Sequence, residues 1–120
     1  MTAAPVWVVL PTYDEAENVV PMQRAILSVF DGTDIDGHIL VVDDGSPDGT
    51  ADLAQGVASA DGRVAVLRRT RKEGIGPAYR AGFRHALDAG AARIVEMDCD
   101  FSHDPASLPE QVTAIPHDPA

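Results

Sequence analysis

Ile39-Leu40-Val41-Val42-Asp43-Asp44-Gly45-Ser46-Pro47-Asp48-Gly49-Thr50 is the stretch on which the fold turns. Four apolar residues in a row, followed by two acids, read as a short strand buried on both faces. Gly45 to Gly49 is turn chemistry. Thr50 then reads as the cap of a helix whose apolar side is Leu53, Ala54, Val57 and Ala58.

The same grammar extends in both directions. Upstream, Val6-Trp7-Val8-Val9-Leu10 is a second buried strand, stopped by Pro11. Asp14 with Glu17 three residues on reads as a helix N-cap, and Val19, Met22, Ile26 and Val29/Phe30 follow at helical spacing. Pro21 is tolerable there only near the first turn. Downstream, Val64-Ala65-Val66-Leu67 is a third strand. Gly74-Ile75-Gly76-Pro77 opens a third helix carrying Tyr79, Phe83, Ala86 and Leu87, with Gly90 near its end. Ile94-Val95-Glu96-Met97 is a fourth strand, and Leu108, Val112 and Ile115 predict a helix over 105–115. The order β-α-β-α-β-α-β-α means an α/β fold, a parallel sheet covered by helices on both faces. Residues 1–115 are expected to form one domain and 116–120 a frayed tail. No closing strand follows the last helix, so the domain is expected to be incomplete.

Composition narrows the function classes. The chain has 120 residues, of which 45% are hydrophobic, enough for a core. Its net charge of −10 argues against nucleic acid as a partner, since such binders need a basic face. Residues 63–93 nevertheless carry eight bases and two acids, between acidic flanks. A basic stretch set between acidic ones suits an anionic ligand that brings a metal cation, or is a solvated face. No apolar run is long enough to span a membrane, and the first residues lack the pattern of a secretory signal. Cys99 is the only cysteine, which excludes an internal disulfide and fits a reducing, cytoplasmic setting.

In open parallel sheets, ligands bind beyond the carboxyl ends of the strands. Three of the four strands end in polar groups: Pro11-Thr12-Tyr13-Asp14-Glu15, Asp43-Asp44-Gly45-Ser46 and Asp98-Cys99-Asp100. The topology predicts that these meet along one edge. Asp98 and Asp100, at i and i+2 of an extended segment, point to one side. Two carboxylates so placed repel unless a cation sits near them, and hard ions such as Mg²⁺ or Mn²⁺ often bind one or two carboxylates plus substrate phosphates. One carboxylate of Asp43-Asp44 is read as accepting from a base or ribose while the other holds the loop. Tyr13 is a candidate for stacking on a nucleobase, although a lone Tyr after a strand is more often packing. Arg68, Arg69, Arg71 and Lys72 are candidates to face a diphosphate or an anionic acceptor, or are a solvated loop. Gly74-Ile75-Gly76 matches neither a Walker A loop nor the dinucleotide fingerprint, and reads as a flexible turn. His103 is read as a loop or capping residue.

Four segments together resemble family 2 of the glycosyltransferases, and within it the polyprenol-phosphate (dolichol-phosphate) mannose synthases. They are Val9 to Asn18, Val41 to Thr50, Gly74 to Tyr79, and Glu96 to Pro105. The resemblance implies a Rossmann-like GT-A fold, GDP-mannose as donor, Mg²⁺ or Mn²⁺ as cofactor, and a polyprenyl phosphate as acceptor. By match of motif, Pro11, Tyr13, Glu15, Val42 and Asp44 would line the nucleotide site. Asp98 and Asp100 would hold the metal and diphosphate, as the catalytic pair, with Cys99 and Ser102 beside them. Asp14 stands where the family often has Asn, Cys99 where Ala is usual, and Ser102 where some relatives have Gln. Members run to roughly twice this length. A lipid acceptor implies work at the cytosolic face of the membrane, with peripheral contact made by elements outside these residues. The alternatives are a non-catalytic or truncated nucleotide-sugar-binding module, a family 2 transferase with another donor or acceptor, a phospho-acceptor receiver domain, and a nucleotidyltransferase. The receiver would need a lysine later than Lys72.

Overall fold

A computed structural model describes residues 4–70, 73–102 and 104–109. Four strands, β1 (Pro5–Thr12), β2 (Asp36–Asp43), β3 (Val64–Arg68) and β4 (Arg93–Glu96), form one sheet in the order β3-β2-β1-β4. Every pairing is parallel. The helices α1 (Val19–Asp31), α2 (Thr50–Ala60) and α3 (Ile75–Asp88) fill the connections.

The chirality of these crossovers explains the layering. The chain steps from β1 to β2 to β3 in one direction and returns from β3 to β4 in the other. Right-handed crossovers running in opposite directions place their helices on opposite faces. Accordingly, α1 and α2 cover one face with Val19, Met22, Ile26, Phe30 and Ala54 against Val8, Leu10, Ile39 and Val41. The other face packs Val9, Leu40 and Val42 against Ala78 of α3. Each such Val, Leu, Ile or Met, once fully buried, contributes about 1.5–3 kcal/mol.

A glycine sets how closely α3 approaches the sheet. A Cβ on Gly82 would come within 2.7 Å of Val9 Cγ1 and 2.8 Å of Val42 Cγ2. Only hydrogen at that position lets the helix lie this low over β1 and β2.

Two boundaries differ from the sequence reading. Pro11 does not stop β1, which runs to Thr12 with Pro11 opposite Val42. Val9 O accepts from Met97 N and Thr12 O from Asp44 N, so Pro11 faces the β4 side, where pairing ends at Val9↔Glu96. No ladder donor is lost there. Helix α1 begins at Val19, after an Asn18 cap, and not at Asp14. Asp14 has φ 56°, which ends helical geometry before it starts, and Pro21 falls in the first turn as its ring requires. The predicted last helix opens as a 3₁₀ turn at Pro105–Ser107, capped by the Asp104 side chain, and turns α-helical at Leu108 and Pro109, with Leu108 buried in the α1 face. The rest of that prediction lies outside the described residues.

Candidate functional site

β1 lies between β2 and β4, so the strand order reverses beside it, and a crevice opens above the carboxyl ends there. A cavity of about 270 Å³ occupies that place. The β1 end contributes Pro11, Thr12, Tyr13 and Glu15 to its wall, the β2 end contributes Asp44, and the β4 end contributes Asp98, Cys99 and Asp100. Gly74 and Ala78, at the start of α3, close the remaining side. The three polar strand ends therefore converge on one space.

The β1 loop is held from outside itself. Three consecutive backbone N–H groups donate to the loop after β2: Asp14 to Ser46 Oγ at 2.9 Å, Glu15 to Thr50 Oγ1 at 3.0 Å, and Ala16 to Asp48 Oδ2 at 3.1 Å. Thr50 also donates its hydroxyl to Asp48. That bond, with the N–H groups of Ala16 and Thr50, holds the Asp48 carboxyl below its ordinary pKa. Thr50 is thus the first residue of α2 and a bracket for Glu15, while Gly49 takes the cap position. Asp14, at φ 56°, needs the left-handed region, which Asn and Asp enter most readily among residues with a Cβ. That requirement accounts for Asp standing where the family often has Asn.

The paired acids ending β2 divide their work. Asp43 is buried and accepts from the Thr12 hydroxyl at 2.8 Å, the Ser46 hydroxyl at 2.7 Å and the Ser46 N–H at 2.9 Å. It fastens the two strand ends together. Asp44, 4% exposed, reaches the cavity wall. Its Oδ1 accepts from Arg69 Nε at 3.0 Å, and its Oδ2 from the N–H groups of Glu73 and Gly74, both at 3.1 Å. Gly74 takes φ 101° in this turn, a value that favours glycine.

At the β4 end, Asp98 and Asp100 flank Cys99 on the wall. Asp100 Oδ1 accepts from Ser102 N at 2.9 Å, and Phe101 between them has φ 62°. Burial pushes the Cys99 thiol up to about 12, with the charges of Glu15 and Asp100 adding to the effect. Those two carboxylates from different strand ends therefore act on one atom. The thiol is neutral and unreactive at ordinary pH. On the α3 side, burial and the Glu96 carboxylate push the Tyr79 hydroxyl up to about 12. Asp98, Asp100 and Glu15 line the cavity and carry the oxygen chemistry that Mg²⁺ and Mn²⁺ favour, but among the described residues no three His, Cys, Asp or Glu side chains are grouped so as to hold a metal ion by themselves.

Some predicted residues sit elsewhere. Val42 is fully buried, beneath the cavity in the α3-side core. Ser102 is exposed and does not line the wall, touching the site through its bond to Asp100. Arg68 turns to solvent and pairs with Asp52 at 2.9 Å. Arg69 is bound to Asp44 and Glu73. Arg71, Lys72 and His103 lie outside the described residues. Thr12, Gly74 and Ala78 line the cavity although the sequence reading had not assigned them to the site. The glycine-rich opening of α3 carried the available signal for two of these, since small residues are what a wall made by a helix start requires.

Comparison with known proteins agrees with this geometry. The family model described as glycosyl transferase family 2 matches residues 7–120. An undecaprenyl-phosphate mannosyltransferase of Micrococcus luteus is 44% identical over 107 residues, which is 89% of this chain and 42% of that protein. A polyprenol monophosphomannose synthase of Mycolicibacterium smegmatis is 48% identical over 109 residues, covering 90% of this chain and 40% of that one. The chain thus spans less than half the length of these curated relatives. Among solved structures, the mannosyltransferase PcManGT of Pyrobaculum calidifontis, in complex with GDP-Man and Mn²⁺, superposes with a TM-score of 0.68 at 22% identity. The match covers 95% of this chain and 32% of that one, and it shows a shared fold. With the family model matching nearly every residue, the chain belongs to glycosyltransferase family 2.

Proposed function

We propose that this chain is the donor-binding part of a metal-dependent, inverting glycosyltransferase that moves mannose from GDP-mannose to a polyprenyl phosphate. The observation that carries the reading is the convergence of Tyr13, Glu15, Asp44, Asp98 and Asp100, from three separate strand ends, on one cavity. The names of the two relatives, an undecaprenyl-phosphate mannosyltransferase and a polyprenol monophosphomannose synthase, support the sugar and the acceptor class. The Mn²⁺ and GDP-Man of the solved neighbour support the cation and the donor. Residues 1–115 form this donor-binding part, and 116–120 lie beyond it.

In this reading Pro11, Tyr13, Glu15 and Asp44 receive the nucleoside, while Val42, buried in the α3-side core, acts only by packing. Asp98 and Asp100 hold Mg²⁺ or Mn²⁺ and, through it, the diphosphate, with Cys99 packing between them and Ser102 orienting Asp100. The bound cation supplies neutralising charge for a departing diphosphate. Transfer forms a bond from an acceptor phosphate oxygen to the anomeric carbon as the bond to the diphosphate oxygen breaks, with inversion. Because the acceptor is already an anion, no strong general base is required. A cytoplasmic enzyme working at the inner membrane surface would suit such an acceptor. No described helix is long and apolar enough to cross a membrane.

A thermal-shift panel of GDP-, UDP- and CDP-sugars with and without Mn²⁺ tests this. GDP-mannose with Mn²⁺ is expected to raise the midpoint most, and Asp98→Ala to abolish the metal-dependent part. A folded sample with no metal-dependent response, and with Asp98→Ala matching the parent, would overturn it.

A further inference from the structure

We infer that Arg69 is a positioning residue of the donor site, acting on the nucleoside end through Asp44 and not on the diphosphate. This inference rests on the donor-site reading above.

The basis is where the Arg69 guanidinium is held. Nε donates to Asp44 Oδ1 at 3.0 Å, Nη2 to Glu73 Oε1 at 2.6 Å, and Nη1 reaches Pro77 O at 3.4 Å. Its own backbone N–H is fixed to Asp43 O at 2.8 Å. The Arg69 side chain is 17% exposed and that of Asp44 6%. Three of its five N–H donors are thus directed at protein acceptors, and its two shortest bonds turn the fork toward Asp44 and Glu73.

What the fork does is set Asp44. A carboxylate offers roughly four acceptor positions. Asp44 Oδ2 spends two on Glu73 N and Gly74 N, and Oδ1 spends one on Arg69. Among the described residues this leaves one acceptor position on Oδ1, on a residue that lines the cavity. Arg69 thereby fixes the orientation of the Asp44 carboxylate, and with it fastens the turn that supplies Gly74 and Ala78 to the wall. The ligand group this favours is one N–H or O–H donor of a base or ribose.

The test titrates guanosine and GDP, each with Mn²⁺, into the parent chain, Arg69→Lys, Asp44→Asn and the double variant. Lysine keeps the charge and loses the fork. Arg69→Lys is expected to weaken guanosine and GDP equally, by about tenfold, the scale of one misplaced charge-assisted hydrogen bond. The double variant is expected to bind no more weakly than Asp44→Asn alone, because the two residues act as a unit. Loss confined to GDP, unchanged affinity, or losses that add in the double variant would each overturn the inference. Should the lysine variant fail to fold, Glu73→Gln removes one anchor at an exposed position. An equal, smaller weakening of both ligands then supports the inference, and none overturns it. A folded parent that binds neither ligand sinks the donor-site reading instead. In that case amide exchange decides: faster exchange at Glu73 and Gly74 in Arg69→Lys or Glu73→Gln supports the clamp, and unchanged exchange refutes it.

Discussion

Thr50 reaches across 35 residues of sequence to accept the backbone N–H of Glu15 at 3.0 Å. This single hydroxyl couples the first turn of α2 to the loop that carries Tyr13 and Glu15 to the cavity. Thr50→Val keeps the shape and removes the bond. This N–H is only part-buried, so urea denaturation should show a loss of about 1 kcal/mol. Thr50→Ser should retain most of the stability. If the loop matters to ligand binding, nucleotide affinity should fall in the valine variant and hold in the serine variant.

Gly82→Ala is expected to destabilise the chain although alanine is the better helix former. The added methyl group meets Val9 and Val42 side chains at less than 3 Å, and both are fully buried. Overpacking of this kind costs about 1–3 kcal/mol, more than the helix propensity gained. Pairing it with Val9→Ala should recover part of the loss, which equilibrium unfolding would measure.

Phe101 holds φ 62° with its side chain exposed, directly after the acidic pair. An L-residue in that region costs about 1–2 kcal/mol. Phe101→Gly should therefore raise the thermal midpoint by a few degrees, since little packing is lost. A drop in the midpoint would mean that the ring contributes more than its exposure indicates.

Acid sensitivity should trace in part to Asp61. Its hydrogen bonds with Arg63 hold the carboxyl down at about 2, against an ordinary value near 4. A depressed folded-state pKa stabilises the fold above the unfolded value and is lost as pH falls through the folded one. The stability gap between the parent and Asp61→Asn should be constant above about pH 5 and close progressively between about pH 5 and 1. A gap as large at about pH 1 as at neutral pH would exclude this linkage.

Most of the architecture was readable because its signals are local. Apolar runs of four or five residues alternate with helical stripes, and the parallel sheet that follows brings Tyr13, Asp44 and Asp98 to one edge. What stayed hidden depends on pairs far apart in sequence. Ser46, Asp48 and Thr50 look like ordinary turn residues, and nothing periodic reveals that they grip the backbone of 14–16. Arg69 looked like one more cation in a basic loop, since its partner Asp44 lies 25 residues away. Pro11 looked like a strand terminator because the early end of β4 beside it leaves no trace in the chain order.

The bracing of the β1 loop by the turn after β2 also bears on how a ligand would be met. Residues 14–16 are already immobilised when the chain has folded, so the entropic penalty of ordering them falls on folding and not on association. A visitor to the cavity should find two of its walls standing. Its capture should then be fast and carry little unfavourable entropy from this loop.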